Sequence, residues 1–154
     1  MTFIQGVVPM FKHILIPADG SDNAQRAIGK AIGLALAFKS QVTAIYVIDP
    51  YAFTGAGTDF AYGHVEYLSA ATAEGNLALQ VAKEAFQAVG IEITTTLVEG
   101  HAIYKGILET ATQIGADLIV MGSHGRKGLE KLILGSVTSQ VLSHAHLPVL
   151  VVRD

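Results

Sequence analysis

The residues best suited to chemistry lie near the C-terminus, in Asp117-Leu-Ile-Val-Met-Gly122-Ser-His-Gly125-Arg-Lys-Gly128 and, after six intervening residues, Gly135-Ser136-Val-Thr138. The apolar run Leu118 to Met121 reads as a buried strand that Gly122 ends. Gly125 and Gly128 then stand among polar residues, as in a loop whose backbone can reach positive φ. Gly135-Ser136 opens a periodic segment that reads as a helix, with Ser136 near its N-terminus. A strand, a glycine-rich loop and a helix start in succession form an anion cradle. Free backbone N–H groups and the positive end of a helix dipole converge there, and glycines permit close approach.

Other reactive types are sparse around this stretch. No lysine-bearing Walker motif is present, and no nucleophile–base pair stands beside the loop. A cradle that binds ground-state phosphates without an activated nucleophile yields affinity rather than rate. Among six histidines, His144 and His146 flank Ala145 without a supporting carboxylate or thiolate, so they read as structural and no metal site is expected. His101 falls at the start of a helix, and His124 reads as a loop residue near phosphate rather than a base. Asp19, in Asp19-Gly20-Ser21-Asp22, is suited both to a turn and to a ligand-facing position.

The elements that must position these residues belong to a chain of 154 residues, 51% hydrophobic and 15% charged. That length suits one domain with one core, and the composition excludes a disordered chain. A net charge of −3 with dispersed basic residues lacks the footprint of a nucleic-acid binder. With no cysteine, disulfides and zinc–thiolate sites are excluded. No apolar run approaches the roughly 20 residues of a membrane helix, and the N-terminus lacks a basic signal region. A soluble, cytoplasmic protein is expected.

Residues 1–10 carry no period and read as an extension ahead of a domain over 11–154. His13-Ile-Leu-Ile-Pro17 is a short apolar run, hence a central strand buried on both faces, with Pro17 at its end. Asp19 to Asp22 supplies the turn and helix cap, with Asp22 and Gln25 in a loose capping-box spacing. Ala24, Ala27, Ile28, Ala31, Ala35 and Phe38 recur at helical intervals. Gln41 to Ile48 is the next strand, and Tyr51 to His64 reads as a long loop. A second helix is expected from about Val65 to Val89, with Gly75 a candidate bend and Gly90 its stop. Ile91 to Val98 alternates as a half-wet edge strand. A helix over His101 to Ile114, the glycine-loop strand, a fourth helix and a final apolar strand, Leu147 to Val152, complete the chain. Strands and helices alternate throughout, which predicts a parallel α/β sheet with helices on both faces and right-handed crossovers.

From Phe11 to Arg153 the chain resembles the universal stress protein family. Ile-Leu-Ile-Pro17-Ala-Asp19-Gly-Ser21, Tyr46-Val47-Ile48-Asp49 and the Gly122 region carry the resemblance. The family's ATP-binding branch has glycine, two residues, glycine, nine residues, then glycine followed by Ser or Thr. Gly122, Gly125, Gly135 and Ser136 fill that pattern. The resemblance implies an open five-stranded parallel sheet of order 3-2-1-4-5, Rossmann-like, with its switch point between the first and fourth strands. Ligands of such sheets bind at the carboxyl ends of the strands.

Carried over by position, Pro17, Ala18 and Asp19 line the nucleoside side and Val47 contacts the adenine. Met121 and Gly122 border ribose and adenine, and Gly125 and Arg126 approach the phosphates. Gly135, Ser136, Val137 and Thr138 bind them through backbone N–H and hydroxyl groups. ATP, or ADP or AMP, is the implied ligand. Magnesium would be held mainly by phosphate oxygens with Asp19 nearby. The function implied is an ATP-binding regulator of the stress response that acts through conformation or a protein partner. The alternative is a slow ATPase or phosphoryl- or adenylyl-transfer enzyme using the same pocket. The implied order also sets the apolar strand Leu147 to Val152 at a sheet edge. Soluble proteins protect such edges, and a second copy across a two-fold axis is the expected cover, as the resemblance also implies.

Overall fold

The computed structural model describes residues 10–50, 60–125 and 134–153. Five strands, β1 (His13–Pro17), β2 (Gln41–Ile48), β3 (Thr94–Glu99), β4 (Leu118–Gly122) and β5 (Val149–Val152), alternate with α1 (Asp22–Phe38), α2 (Phe60–Gln87), α3 (Ile103–Ile114) and α4 (Ser136–His144). The strands form one sheet of order β3-β2-β1-β4-β5, and all four neighbouring pairs are parallel. The expected order is therefore the observed one. It follows from reversing the winding direction after β3, which places β1 and β4 side by side.

Each face of the sheet carries two helices. Ile14, Ile16, Val42, Ala44, Leu118 and Val120 point to one side, where Ala27, Ile28 and Ala31 of α1 and Leu79, Ala82 and Phe86 of α2 cover them. Leu15, Ile45, Ile119 and Met121 point to the other, under Ile107 and Ala111 of α3 and Val141 of α4. Ile14, Leu15 and Ile16 are all fully buried, because a central parallel strand has no wet face. Burying such a side chain contributes about 1.5–3 kcal/mol, so β1 anchors both layers.

Several local expectations shift. Ser21, not Asp22, caps α1: its hydroxyl accepts the Ala24 N–H at 3.0 Å. The second helix starts at Phe60 rather than Val65, so the loop read over Tyr51 to His64 loses its last residues to α2. Nothing periodic marks that first turn. Tertiary bonds hold the early helix instead, from His64 Nε2 to the Pro50 carbonyl (3.0 Å) and from the Tyr67 hydroxyl to the Asp49 carbonyl (3.0 Å). Gly75 does not interrupt α2. A β-carbon there would stand 2.5 Å from Leu97 Cδ2 and 2.7 Å from Tyr46 Cδ1, so the glycine lets α2 lie close on β2 and β3. The third helix begins at Ile103, after a turn that contains His101. β3 and β5 are shorter than expected, although Ile91 and Ile93 still pack inward ahead of β3. Residues 1–9, 51–59 and 126–133, which include the proposed extension, most of the long loop, Arg126, Lys127 and Gly128, lie outside the described residues.

At the amino end of the sheet, one carboxylate joins β1 to β4. Asp117 Oδ2 accepts the Lys12 N–H and Oδ1 the His13 N–H, both at 2.9 Å. Burial works against the Asp117 charge. The backbone donors of His13 and Lys12 and the neighbouring His13 ring outweigh it and hold the carboxyl below the usual carboxylate range. This clamp leaves the carboxyl end of the sheet to the other motifs.

Candidate functional site

Both singled-out segments arrive at the carboxyl ends of β1 and β4, where the strand order reverses. Pro17 ends β1 in register with Ile45, and the next residue, Ala18, donates its N–H to the Ile45 carbonyl at 2.8 Å and is buried. The chain then turns sharply. Asp19 Oδ1 accepts the Ser21 N–H at 2.9 Å, and Gly20 takes φ +81°, a conformation that L-residues rarely adopt. The Asp19 carboxylate is thereby fixed beside α1, and its second oxygen faces the glycine loop: a β-carbon on Gly125 would stand 2.6 Å from Asp19 Oδ2.

The loop's own geometry separates donors that are engaged from donors that remain. Ser123 N–H goes to the Val152 carbonyl (2.9 Å), Gly135 N–H to the Ser123 carbonyl (2.7 Å) and His124 N–H to Asn23 Oδ1 (2.9 Å). These three hold the cradle's shape. Gly135 is the N-cap of α4 and provides no side-chain cap. The amides of Ser136, Val137 and Thr138 in the first turn therefore lack intrahelical acceptors, as at any helix start. They supply the directed donors, reinforced by the helix dipole. Ser136 is exposed, with its hydroxyl at the same end, and Val137 packs on the α3–α4 core. Thr138 differs from its expected use. It is 2% exposed, and its hydroxyl donates to the Gly122 carbonyl at 2.9 Å, so it fastens α4 to the end of β4.

The third wall is apolar. Val47 and Met121 belong to the cluster on the α3–α4 face of the sheet. Gly106 of α3 presses on Val47: a β-carbon there would stand 2.7 Å from Val47 Cγ1. A shallow cleft of about 230 Å³, lined by Pro50, Glu99, Gly100 and His101, opens beyond this wall at the ends of β2 and β3. A second, of about 210 Å³, lies between the Asp19–Gly20 turn and Glu74, Leu77, Ala78 and Val81 of α2.

Pro17, Ala18, Asp19, Val47, Met121, Gly122, Gly125, Gly135, Ser136, Val137 and Thr138 thus sit at one end of the sheet, and Arg126 lies outside the described residues. His144 and His13 are engaged within the fold. His144 Nδ1 bonds the Gln140 carbonyl at 2.8 Å and its ring lies 5.0 Å from that of Tyr104. His13 Nε2 meets Thr43 Oγ1 at 2.7 Å. No cluster of metal-ligating side chains occurs among the described residues, and no described helix is long and apolar enough to cross a membrane.

Sequence reasoning missed Asn23. It is 2% exposed and its amide abuts Gly122, where any β-carbon would land on Asn23 Oδ1. A signal was available, since Asn23 adjoins Ala24 and precedes Ala27 by one helical turn on the stripe that α1 buries.

An open parallel sheet of order β3-β2-β1-β4-β5 with helices on both faces and its switch point between β1 and β4 defines a doubly wound, Rossmann-like α/β domain. The family model for the universal stress protein family matches residues 10–153. A universal stress protein of Methanocaldococcus jannaschii is 40% identical over 144 residues, covering 94% of this chain and 83% of the relative. Among solved structures, universal stress protein UspA from Lactobacillus plantarum superposes with a TM-score of 0.82 at 29% identity, covering 93% of this chain and 98% of that one. A universal stress protein in complex with cAMP superposes with a TM-score of 0.67 at 25% identity, covering 92% and 97%. The chain belongs to the universal stress protein family.

Proposed function

We propose that this chain is an adenine-nucleotide-binding regulator of the stress response, whose conformation or assembly a protein partner reads. One observation carries the reading: the Asp19 carboxylate lies against Gly125 while the uncapped start of α4 faces the same switch point. A carboxylate beside an anion cradle repels a bare phosphate. A phosphate-bound magnesium ion reconciles the two, since it takes oxygen ligands from both. The half-buried Val47 and buried Met121 give an adenine ring an apolar wall. The cAMP complex of a relative supports an adenine ligand, and the full glycine spacing supports a polyphosphate, ATP or ADP. Ser136, Val137 and Gly135 line the phosphate side in this reading, with Arg126 as a further cation. Thr138 contributes its amide while its hydroxyl holds Gly122.

The protein acts in the cytoplasm as a homodimer paired through β5. That strand is the sheet edge next to β4, and Leu150 on it is 40% exposed; an apolar edge of this kind calls for a cover. The test is mass spectrometry of the ligand released from freshly purified protein, with calorimetric titration of Mg-ATP and a phosphate-release assay. Retained or tightly titrating nucleotide with negligible turnover is expected. Rapid phosphate release would replace the regulator with an ATPase, and absence of any heat or retained nucleotide would remove the nucleotide site.

A further inference from the structure

We infer that Asn23 is a positioning residue that couples the glycine loop to the edge strand β5, so that nucleotide occupancy and pairing of β5 with a second copy strengthen one another. The inference rests on the nucleotide and dimer readings above and adds the link between them. Asn23 Oδ1 accepts the His124 N–H at 2.9 Å, and Nδ2 donates to the Val152 carbonyl at 3.3 Å. Only this orientation of the amide satisfies both partners, because one is a donor and the other an acceptor. The same Val152 carbonyl accepts the Ser123 N–H at 2.9 Å. Two consecutive loop residues, Ser123 and His124, are therefore tied to the end of β5, one directly and one through a buried side chain. Asn23 itself sits in the first turn of α1, directly after the Asp19–Ser21 turn. One amide thus joins the β1 half of the site, the β4 half and β5.

The strand geometry shows why the outer edge responds. The carbonyls of Pro148 and Val152 point toward β4, where they take the N–H groups of Ile119 and Ser123. Backbone groups alternate sides along a strand, so the peptide groups of Val149 and Val151 face the open edge that a second copy would pair. A nucleotide that fixes Ser123 and His124 fixes the Val152 carbonyl, and with it the outward Val151 carbonyl one peptide away. The amide is deeply buried, so leaving either partner unmet costs the full desolvation of that group, which makes it a stiff connector.

The experiment measures the dimer dissociation constant by sedimentation velocity with and without saturating Mg-ATP, in wild type, Asn23→Asp and Asn23→Ala. Asn23→Asp keeps the acceptor for His124 and removes the donor to Val152; Asn23→Ala removes both. In wild type, ATP should tighten the dimer at least fivefold, within the range typical of such coupling. By reciprocity, with one site per protomer and two per dimer, the affinity of each site should rise by the square root of that factor, about twofold for a fivefold tighter dimer, when protein is taken from below to above its dimer constant. In both variants the ratio should fall to within twofold of one, whatever happens to either affinity alone. A merely structural role would lower thermal stability and leave the ratio intact, and that result overturns the inference. A wild-type ratio of one, with ATP bound and the dimer formed, overturns it while sparing the nucleotide reading; loss of ATP binding in wild type overturns both. Since the wild-type ratio and its reciprocal need no variant, failure of the variants to fold still leaves a decision.

Discussion

The carboxylate of Asp19 and the backbone of Gly125 meet across the switch point, with a β-carbon on Gly125 destined to stand 2.6 Å from Asp19 Oδ2. Residues 106 positions apart in the chain are adjacent because β1 and β4 pair directly, Ile14 with Leu118 and Leu15 with Ile119. Asp19 Oδ1 is held by the Ser21 N–H, so the carboxylate can yield to added bulk at Gly125 only by straining or giving up that bond.

Gly125→Ala therefore displaces the carboxylate rather than the fold. Gly125 is exposed, and stability should change by less than about 1 kcal/mol. Affinity for Mg-ATP should fall about tenfold, equivalent to about 1.4 kcal/mol. Calorimetric titration with and without magnesium checks this, and the loss should be larger in the presence of the metal.

Gly122 and Gly135 respond differently to added bulk. At Gly122 the new β-carbon falls on the buried Asn23 amide, so Gly122→Ala should destabilise by about 1–3 kcal/mol in urea unfolding, the range for overpacking. At Gly135 it meets His124 Cα at 3.0 Å and Cβ at 3.1 Å. Gly135→Val must move the loop backbone itself, and nucleotide titration should lose its heat.

The clamp at the other end of the sheet governs acid sensitivity. The Asp117 carboxyl lies below its ordinary range in the fold: burial opposes its charge, but the His13 and Lys12 donors prevail. A depressed pKa contributes stability that is present above the unfolded value, about 3.9, and is lost as pH falls through the folded value. Asp117→Asn should lower the melting temperature at neutral pH, and the gap from wild type should close on acidification below about pH 4. A pH series of thermal melts reads this directly.

Leu150→Lys should weaken the dimer at least tenfold in sedimentation equilibrium while leaving the melting temperature of the dilute protein little changed. Leu150 is exposed, whereas Val149 packs into the α3–α4 core, where a lysine would damage the monomer itself. A wild-type chain that stays monomeric at high concentration removes the dimer.

The sequence alone determined the strand and helix alternation, the apolar β1 and β4, and the glycine spacing at the cradle, because each is a local pattern of hydrophobicity or backbone freedom. It also placed Pro17 to Asp19 and Gly122 to Ser136 at strand ends, which suffices to predict a crevice once the sheet is parallel. Only the tertiary structure decided how the loop amides are spent. Ser123, His124 and Gly135 donate to Val152, Asn23 and Ser123, so among the described residues these three amides are engaged within the protein, while the first-turn amides of α4 lack intrahelical acceptors. It also revealed Thr138 as a fastening and Asn23 as a hub, and it began α2 at Phe60. These depend on partners distant in the chain, whose proximity is set by strand pairing and helix packing rather than by any local period.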